Sequence, residues 1–481
     1  MDFTSILVGN LFGLNILFAI AVVFLERRNV SATWAWLMIL LFIPMLGFIL
    51  YLIFGQNLSR RRIFKWDKEF YPHIQKAVSD QMELLERNAS QFHEPLIEEY
   101  KDLIFMHLSN EEAFLTQNNE IDIFTDGREK FESLFKDIAA ATNHIHMLYY
   151  IIRNDELGKK IANALAEKAR EGVKVRILYD ASGSRGLTRN FIRQIQLAGG
   201  EIEAFFPPKI PLFNLMLNYR NHRKLVVIDG NIGYIGGFNI GDEYLGLSRK
   251  FGYWRDTHLR IMGETVNSIQ ARFMLDWNQA SKNDIVFKDY YYVSQTKYGD
   301  VAIQIVSDGP DSESEQIKNG YIKMILSAKK YVYIQTPYLI PDDSLLDALK
   351  IASLSGVDVR IMIPNKPDHP FVYWVTYSNA GELLKVGAKV YIYQNGFLHA
   401  KTIVVDDKIA SVGTANIDVR SFRLNFEVNA FLYHSKTARQ LAMAFKEDIQ
   451  QSSELTLDAY QQRSYYTRFK ESISRLLSPI L

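Results

Sequence analysis

The chain has 481 residues, 48% hydrophobic and 23% charged, with a formal net charge of +1 and no cysteine. That length supports two core-forming domains and something beyond them. Without cysteine there are neither disulfides nor thiolate metal sites, and the near-neutral charge leaves no electrostatic footprint for nucleic acid.

Residues 6–25 form an uncharged, mostly apolar run of 20, and residues 32–54 a second of 23. Each is long enough to cross a bilayer core, so residues 1–55 are predicted as two transmembrane helices. No basic residue precedes the first run and no small-x-small site closes it, which argues against a secretory signal. Gly9-x-x-x-Gly13 permits close helix contact, Trp34 and Trp36 suit an interface, and Pro44 is expected to kink the second span. Arg27 and Arg28 lie between the runs, whereas Arg60, Arg61, Arg62, Lys65 and Lys68 follow them. The larger basic cluster predicts a multi-pass cell-membrane protein with its C-terminal bulk on the cytoplasmic side, close to anionic headgroups. Residues 56–120 are charged and read as a helical connector, with helices expected near 75–88 and 94–108.

From there the chain repeats itself. Ile121-Asp-Ile-Phe-Thr-Asp126-Gly127 matches Ile303-Gln-Ile-Val-Ser-Asp308-Gly309, and each is followed by a helical stretch, near 129–141 and 315–328. Strands are expected at 145–147 and 332–334. Gly172-Val-Lys-Val-Arg-Ile then matches Gly356-Val-Asp-Val-Arg-Ile, each after a helix. Helix, glycine and a β-branched strand point to β-α-β units, hence an α/β fold with largely parallel sheets. Two homologous domains are predicted, at 121–295 and 296–481. His144 and His146 could form a metal pair, but Tyr331 and Tyr333 fill the same slots in the second copy. Packing is therefore preferred for them over a metal. His258, His369 and His434 lie outside the repeated pattern, although His369 could approach the site on a loop.

The repeat carries its chemistry in His222-Arg-Lys224-Leu-Val-Val-Ile-Asp229 and His399-Ala-Lys401-Thr-Ile-Val-Val-Asp406. Both read H-x-K-x-x-x-x-D, and both continue to a small pair and an asparagine, Gly236-Gly237-Phe-Asn239 and Gly413-Thr414-Ala-Asn416. The second set stands 177 residues after the first at all four polar positions, as from 222 to 399. A period of two would put His222 and Lys224 on one face of a strand, with Asp229-Gly230 as a turn and 232–235 returning. Imidazole, with its unperturbed pKa near neutrality, is suited to proton transfer.

These paired motifs resemble the phospholipase D superfamily. The two apolar runs, the connector, Asn239-Ile-Gly241-Asp-Glu-Tyr244-Leu-Gly246 and Gly413-Thr-Ala-Asn-Ile-Asp418-Val-Arg420-Ser-Phe422 are similar to its bacterial cardiolipin synthases, over essentially the whole chain. The resemblance implies two phospholipase D-like α-β-α domains about a pseudo-twofold axis. It implies a phosphatidyl group passed from one phosphatidylglycerol to another through a phosphohistidine, giving cardiolipin and glycerol, with no cofactor and no nucleotide-activated donor. One of His222 and His399 would attack phosphorus while the other protonates the leaving alcohol; analogy with relatives leans to His222 as nucleophile. Lys224 and Lys401 would neutralise the phosphoryl oxygens, and Asn239 and Asn416 would donate hydrogen bonds to them. Asp229 and Asp406, counted with the catalytic set, would orient the imidazoles or brace the hairpins. Asp256 and Glu427 are expected on the substrate side, each pairing with the opposite copy's histidine or held in a structural salt bridge.

The first copy has a longer approach to its motif, an apolar and Pro-rich stretch at 205–217 that would dip into the membrane interface, line an acyl groove or pack on its own domain. Water or serine as acceptor would use the same residues, so a phospholipase or a phosphatidylserine synthase stays open. A nuclease is disfavoured by the apolar runs and the neutral charge; a non-catalytic membrane scaffold is the third rival. An oligomer also stays open.

Overall fold

The computed structural model describes residues 3–25, 30–43, 46–54, 63–64, 68, 71–87, 95–207, 218–287, 290, 298–312, 314–366, 368 and 370–476. Pro44, Arg27, Arg28, Arg60, Arg61, Arg62, Lys65, His369 and most of the 205–217 stretch lie outside them.

The N-terminal apolar runs are helical: α1 (Phe3–Leu25), α2 (Val30–Phe42) and α3 (Leu46–Phe54). They pack together through Val22, Leu40 and Tyr51. Asn15, a polar residue among them, gives its amide hydrogen to Leu40 O at 2.9 Å, which relieves part of the cost of burying it. Trp36 meets Tyr51 edge-on rather than standing free. The second apolar run comes as two helices of 13 and 9 residues, not as the single span expected. Side-chain surroundings in α1 are described only from Gly13 onward, and among the described residues no helix is long and apolar enough to cross a membrane.

The connector forms α4 (Tyr71–Glu86), α5 (Pro95–Glu99) and α6 (Lys101–Glu111). Leu96, Ile97, Leu103, Ile104 and Leu108 enter one core with Ile317, Met324 and Val332, so these helices pack on the second repeat.

The first repeat then runs β1 (Leu115–Phe124), α7 (Gly127–Ala140), β2 (His144–Tyr149), α8 (Glu156–Arg170), β3 (Lys174–Asp180), α9 (Arg189–Leu197) and β4 (Glu201–Phe205). It continues with β5 (Arg220–Asn221), β6 (Leu225–Ile228), β7 (Ile232–Gly236), β8 (Trp254–Arg255), β9 (His258–Gly263) and α10 (Val266–Ala280). The second runs β10 (Val301–Asp308), α11 (Gln316–Ser327), β11 (Tyr331–Gln335), β12 (Leu339–Ile340), α12 (Asp343–Leu354), β13 (Asp358–Pro364), α13 (Pro370–Leu384) and β14 (Lys389–Tyr393). After it come β15 (Phe397–Leu398), β16 (Thr402–Val405), β17 (Ile409–Gly413), β18 (Ile417–Asp418), α14 (Val419–Arg423), β19 (Asn425–Tyr433) and α15 (Ser435–Gln450). The chain closes with β20 (Ser452–Leu455), α16 (Leu457–Gln461) and α17 (Tyr465–Leu476).

The repeats share one sheet, ordered β20-β14-β13-β11-β16-β17-β19-β10-β1-β9-β7-β6-β2-β3-β4. Outward from the antiparallel β10–β1 pair, the two sides match strand for strand as far as β14 and β4, with β20 added at the edge of the second repeat, in keeping with the pseudo-twofold relation expected. Helix starts follow side-chain caps: Asp126 accepts from Arg128 N at 2.7 Å, and Asp155 from Gly158 N at 3.1 Å. Gly172 and Gly356, at φ 92° and 88°, end α8 and α12 in the left-handed conformation that glycine adopts without steric cost.

The sheet is mixed rather than largely parallel. Parallel pairing within it is found in β2-β3-β4 and β11-β13-β14 and in the short β5–β19 contact. The reason lies in the motifs themselves. Asp229 and Gly230 have φ of 51° and 69°, and Asp406 and Asp407 both 56°, so each motif strand reverses through a two-residue turn with positive φ at both positions. Such a turn joins only antiparallel neighbours.

Candidate active site

The motif histidines lie just before the core strands, in extended chain between a short inter-repeat ladder and the hairpin. β5 pairs with the start of β19, and His222 N donates to Phe426 O at 2.9 Å. In the other copy β15 pairs with β8, and His399 N donates to Arg255 O at 2.7 Å. The residue after each accepting carbonyl is a carboxylate. His222 Nδ1 therefore meets Glu427 at 2.9 and 3.0 Å, and His399 Nδ1 meets Asp256 at 2.6 Å. Each repeat supplies an imidazole, and the opposite repeat supplies its carboxylate.

Both carboxylates are fully buried. Burial pushes Glu427 up, but His222 and Lys224 outweigh it and hold its carboxyl below the usual range. Asp256 is held down in the same way by Lys401 and His399. An ionised carboxylate only accepts, so Nδ1 of His222 carries the hydrogen and its Nε2 keeps its lone pair, while Nδ1 of His399 lies 2.6 Å from Asp256 and 2.7 Å from Lys401 Nζ. Burial lowers the imidazoles: His222 is brought to about 4, with Glu427 raising and Lys224 and Lys401 lowering it further. His399 moves the same way, by burial and Lys401 against Asp256, with Lys224 adding to the fall. That each lysine acts on the other copy's imidazole puts both motifs in one electrostatic unit. Lys224 is pushed down to about 7 and Lys401 to about 8, chiefly by burial. Both are held by a donation to their own histidine's carbonyl. Tyr150 flanks His222 at 4.8 Å between ring centres, and Trp254 flanks His399 at 5.1 Å. Gly237 is required here, because a Cβ on it would lie 1.9 Å from Asp256 Oδ1.

Asp256 and Glu427 thus pair with the opposite copy's imidazoles, the first of the two roles expected of them. Of the two roles expected of Asp229 and Asp406, orienting the imidazoles or bracing the hairpins, their hydrogen bonds fit the second. Asp229 accepts from Thr142 N, Asn143 N and His144 N at 2.8, 2.8 and 2.9 Å, and Asp406 from Lys329 N, Lys330 N and Tyr331 N at 2.6, 2.8 and 2.7 Å. They close the loop leading into β2 or β11, at the end of the motif strand away from the histidine. Asp406→Ala leaves three amide donors without an acceptor, so it is expected to cost about 3 kcal/mol of stability. Thermal unfolding should show that loss, while kcat/KM of the folded fraction changes less than ~10-fold because no charge near phosphorus is removed. The asparagines differ. Asn239 is engaged, accepting from Ile151 N at 3.1 Å and donating to Tyr244 OH at 3.2 Å. Asn416 keeps a buried amide oxygen with no partner.

Arg223 and Arg255 escaped the sequence reading. Arg223 is 1% exposed; it donates to Glu427 O and Asp308 O and meets Asp276 at 2.8 Å, clamping the first motif to the second repeat. Arg255 meets Asp448 at 2.8 Å on the other side. Their signal was an arginine inside H-x-K or beside the carboxylate, but only the fold reveals its reach. His144 and His146 share Gln270, at 3.0 and 2.8 Å, and His146 stacks on Phe273 as Tyr333 does on Phe445. They are core residues of the first repeat.

Comparison with known proteins gives the arrangement a family. The chain matches the family described as cardiolipin synthase, PLD-like domain, over residues 134–277 and 321–449, and the phospholipase D-nuclease N-terminal family over 13–56. The cardiolipin synthase of Oceanobacillus iheyensis is 59% identical over 481 residues, covering 100% of both chains. The major cardiolipin synthase of Bacillus subtilis (strain 168) is 59% identical over 482 residues, again covering 100% of both. Among solved structures, phosphatidylserine synthase of Haemophilus influenzae Rd KW20 has the same fold, with TM-score 0.62 at 17% identity over 79% of this chain and 99% of that one. A duplicated motif whose imidazoles and carboxylates are exchanged between repeats, in a chain alike to these relatives along its whole length, belongs to the cardiolipin synthase family of phospholipase D-like proteins.

Proposed function

We propose that the chain is a phosphatidyltransferase that makes cardiolipin and glycerol from two molecules of phosphatidylglycerol. The observation that carries this is the exchange of carboxylates, His222 with Glu427 and His399 with Asp256, so that each motif is completed by the opposite repeat. One Nε2 attacks phosphorus and the P–O bond to glycerol breaks, while the other imidazolium gives its proton to the departing oxygen. That second ring, now neutral, takes the proton of a primary hydroxyl on the second phosphatidylglycerol, whose oxygen displaces the histidine. One phosphodiester replaces another, so the equilibrium lies near balance and the protein supplies positioning and charge.

Protonation follows the same logic. In the empty site burial favours neutral rings, which leaves a nucleophile ready near pH 7. A bound phosphodiester brings a negative charge, which raises the pKa of imidazole and lysine beside it. It thereby recruits the proton that the leaving glycerol needs and charges Lys224 and Lys401. Asn416 would donate its Nδ2 hydrogens to a phosphoryl oxygen, whereas Asn239 is already engaged by Ile151 N and Tyr244 OH.

The N-terminal helices support delivery of both lipids from the plane of a bilayer, with the repeats on its cytoplasmic side. Leu17, Phe24, Leu41 and Phe42 are 62%, 62%, 58% and 78% exposed on them, an apolar surface unsuited to water. Delivery from the membrane also favours a lipid hydroxyl over water as acceptor. Phosphatidylglycerol labelled in its headgroup and presented in vesicles to the membrane-bound protein is expected to yield labelled cardiolipin and free labelled glycerol together. Phosphatidic acid as sole lipid product would replace the transferase reading by a hydrolase, and release of the protein from membranes by alkaline carbonate would remove the anchor.

A further inference from the structure

The last helix of the chain is turned inside out. A surface helix of a water-soluble domain buries its apolar stripe and exposes its charges. In α17 the buried positions are Glu471 and Ser474, at 3% and 1% exposure, whereas Tyr465, Tyr466, Phe469 and Ile473 are 88%, 68%, 63% and 43% exposed. The inward carboxylate is neutralised where it lies: Glu471 meets Arg463 at 2.7 and 3.0 Å. At 100° per residue, the four exposed side chains form a single stripe. Arg468 and Arg475 border it on one side and Lys470 on the other, so the outward charge is basic throughout.

The stripe does not end at the helix. α17 packs on α13, and Lys470 Nζ sits 4.8 Å from the ring of Trp374 and 4.2 Å from that of Tyr466. Phe371, one turn before Trp374, is 51% exposed. α13 in turn reaches the site's rim. Thr376 Oγ1 accepts from Leu339 N at 3.0 Å, Asn379 donates to Leu339 O at 2.9 Å, and Leu339 pairs with Ile417, the residue after Asn416.

We propose that the outward face of α17, together with Phe371 and Trp374, docks onto the surface of an anionic phospholipid bilayer and holds the second repeat's side of the site against the lipid. Aromatic rings at headgroup depth with arginine and lysine on both flanks suit that surface. A second copy of the chain fits less well. A twofold contact on this stripe would set Arg468, Lys470 and Arg475 against their own equivalents. The docking concerns contact with lipid and holds whichever acceptor the enzyme uses.

The absence of cysteine makes a direct test available. Phe469→Cys and, as a control, Leu197→Cys on α9, 76% exposed, each give the full chain one thiol for an environment-sensitive fluorophore. With one protein per nanodisc of phosphatidylglycerol and phosphatidylcholine, the label at 469 is expected to lose at least half its emission to nitroxide-bearing lipid, and the label at 197 almost none. Equal quenching at the two positions overturns the proposal, as does a change at 469 that appears only when two proteins share a disc. A Phe469→Glu/Ile473→Glu variant adds a kinetic arm. The proposal expects its KM for phosphatidylglycerol in vesicles to rise five- to tenfold with kcat held within twofold, and an unchanged KM counts against it. The fluorescence arm needs no turnover, so its failure is distinguishable from failure of the transferase reading.

Discussion

Replacing either His222 or His399 with alanine is expected to lower phosphatidyl transfer by at least ~10⁴-fold, about 5.5 kcal/mol of transition-state stabilisation. The magnitude follows from what each ring does. Loss of the nucleophile removes the covalent route altogether, and loss of the proton donor leaves an alkoxide as leaving group. If both rings serve one phosphorus, as proposed, the double variant should be scarcely worse than either single one. Steady-state assays with labelled phosphatidylglycerol check this, and a residual rate within tenfold of wild type in either variant would overturn the shared site. The two variants also separate the roles. A phosphatidyl-enzyme should be trappable in the variant that keeps the nucleophile when the substrate carries a good leaving group, and absent from the other.

Glu427→Gln is expected to lower kcat by ~10³ to 10⁴-fold while leaving the fold intact, since an amide of the same shape stays in place. An amide can hold the imidazole in either tautomer, so Nε2 no longer has its lone pair assured. The pH dependence has a defined sign. Glu427 raises His222, which burial has already brought to about 4. Without the carboxylate the ring titrates lower still. If His222 is the nucleophile, the acid limb of kcat/KM, which falls as that ring gains its proton, therefore moves to lower pH in the variant. Asp256→Asn should act on His399 in the same direction. A limb that moves upward, or a kcat within tenfold of wild type, would mean that these carboxylates do not set the rings.

Much of this was legible in the residues, and the gaps have physical causes. The duplicated H-x-K-x-x-x-x-D, with its glycine and asparagine extension, specified two copies, because chance does not keep four polar positions in register over so long a span. Element positions were legible where periodicity was strong: α7, α11, β2 and β11 fall on the stretches expected of them. Strand direction was harder. Apolar runs look alike in parallel and antiparallel sheets, and the antiparallel centre depends on turn residues such as Asp406 and Asp407 adopting positive φ. The aspartates were left with two roles, orienting the imidazoles or bracing the hairpins, for a related reason. Spacing shows that they belong to the motif but not which end of the strand needs them, and four residues of strand carry each carboxylate away from its histidine. Arg223 was invisible because its partners, Asp276, Asp308 and Glu427, lie 53 to 204 residues away.

The crossing of carboxylates between repeats bears on how the enzyme dies. Neither half owns a complete catalytic pair, so opening one of them strips the orienting anion from the other's ring as well as its own. Heat inactivation is then governed by whichever half melts first, and a surviving partner retains no turnover of its own.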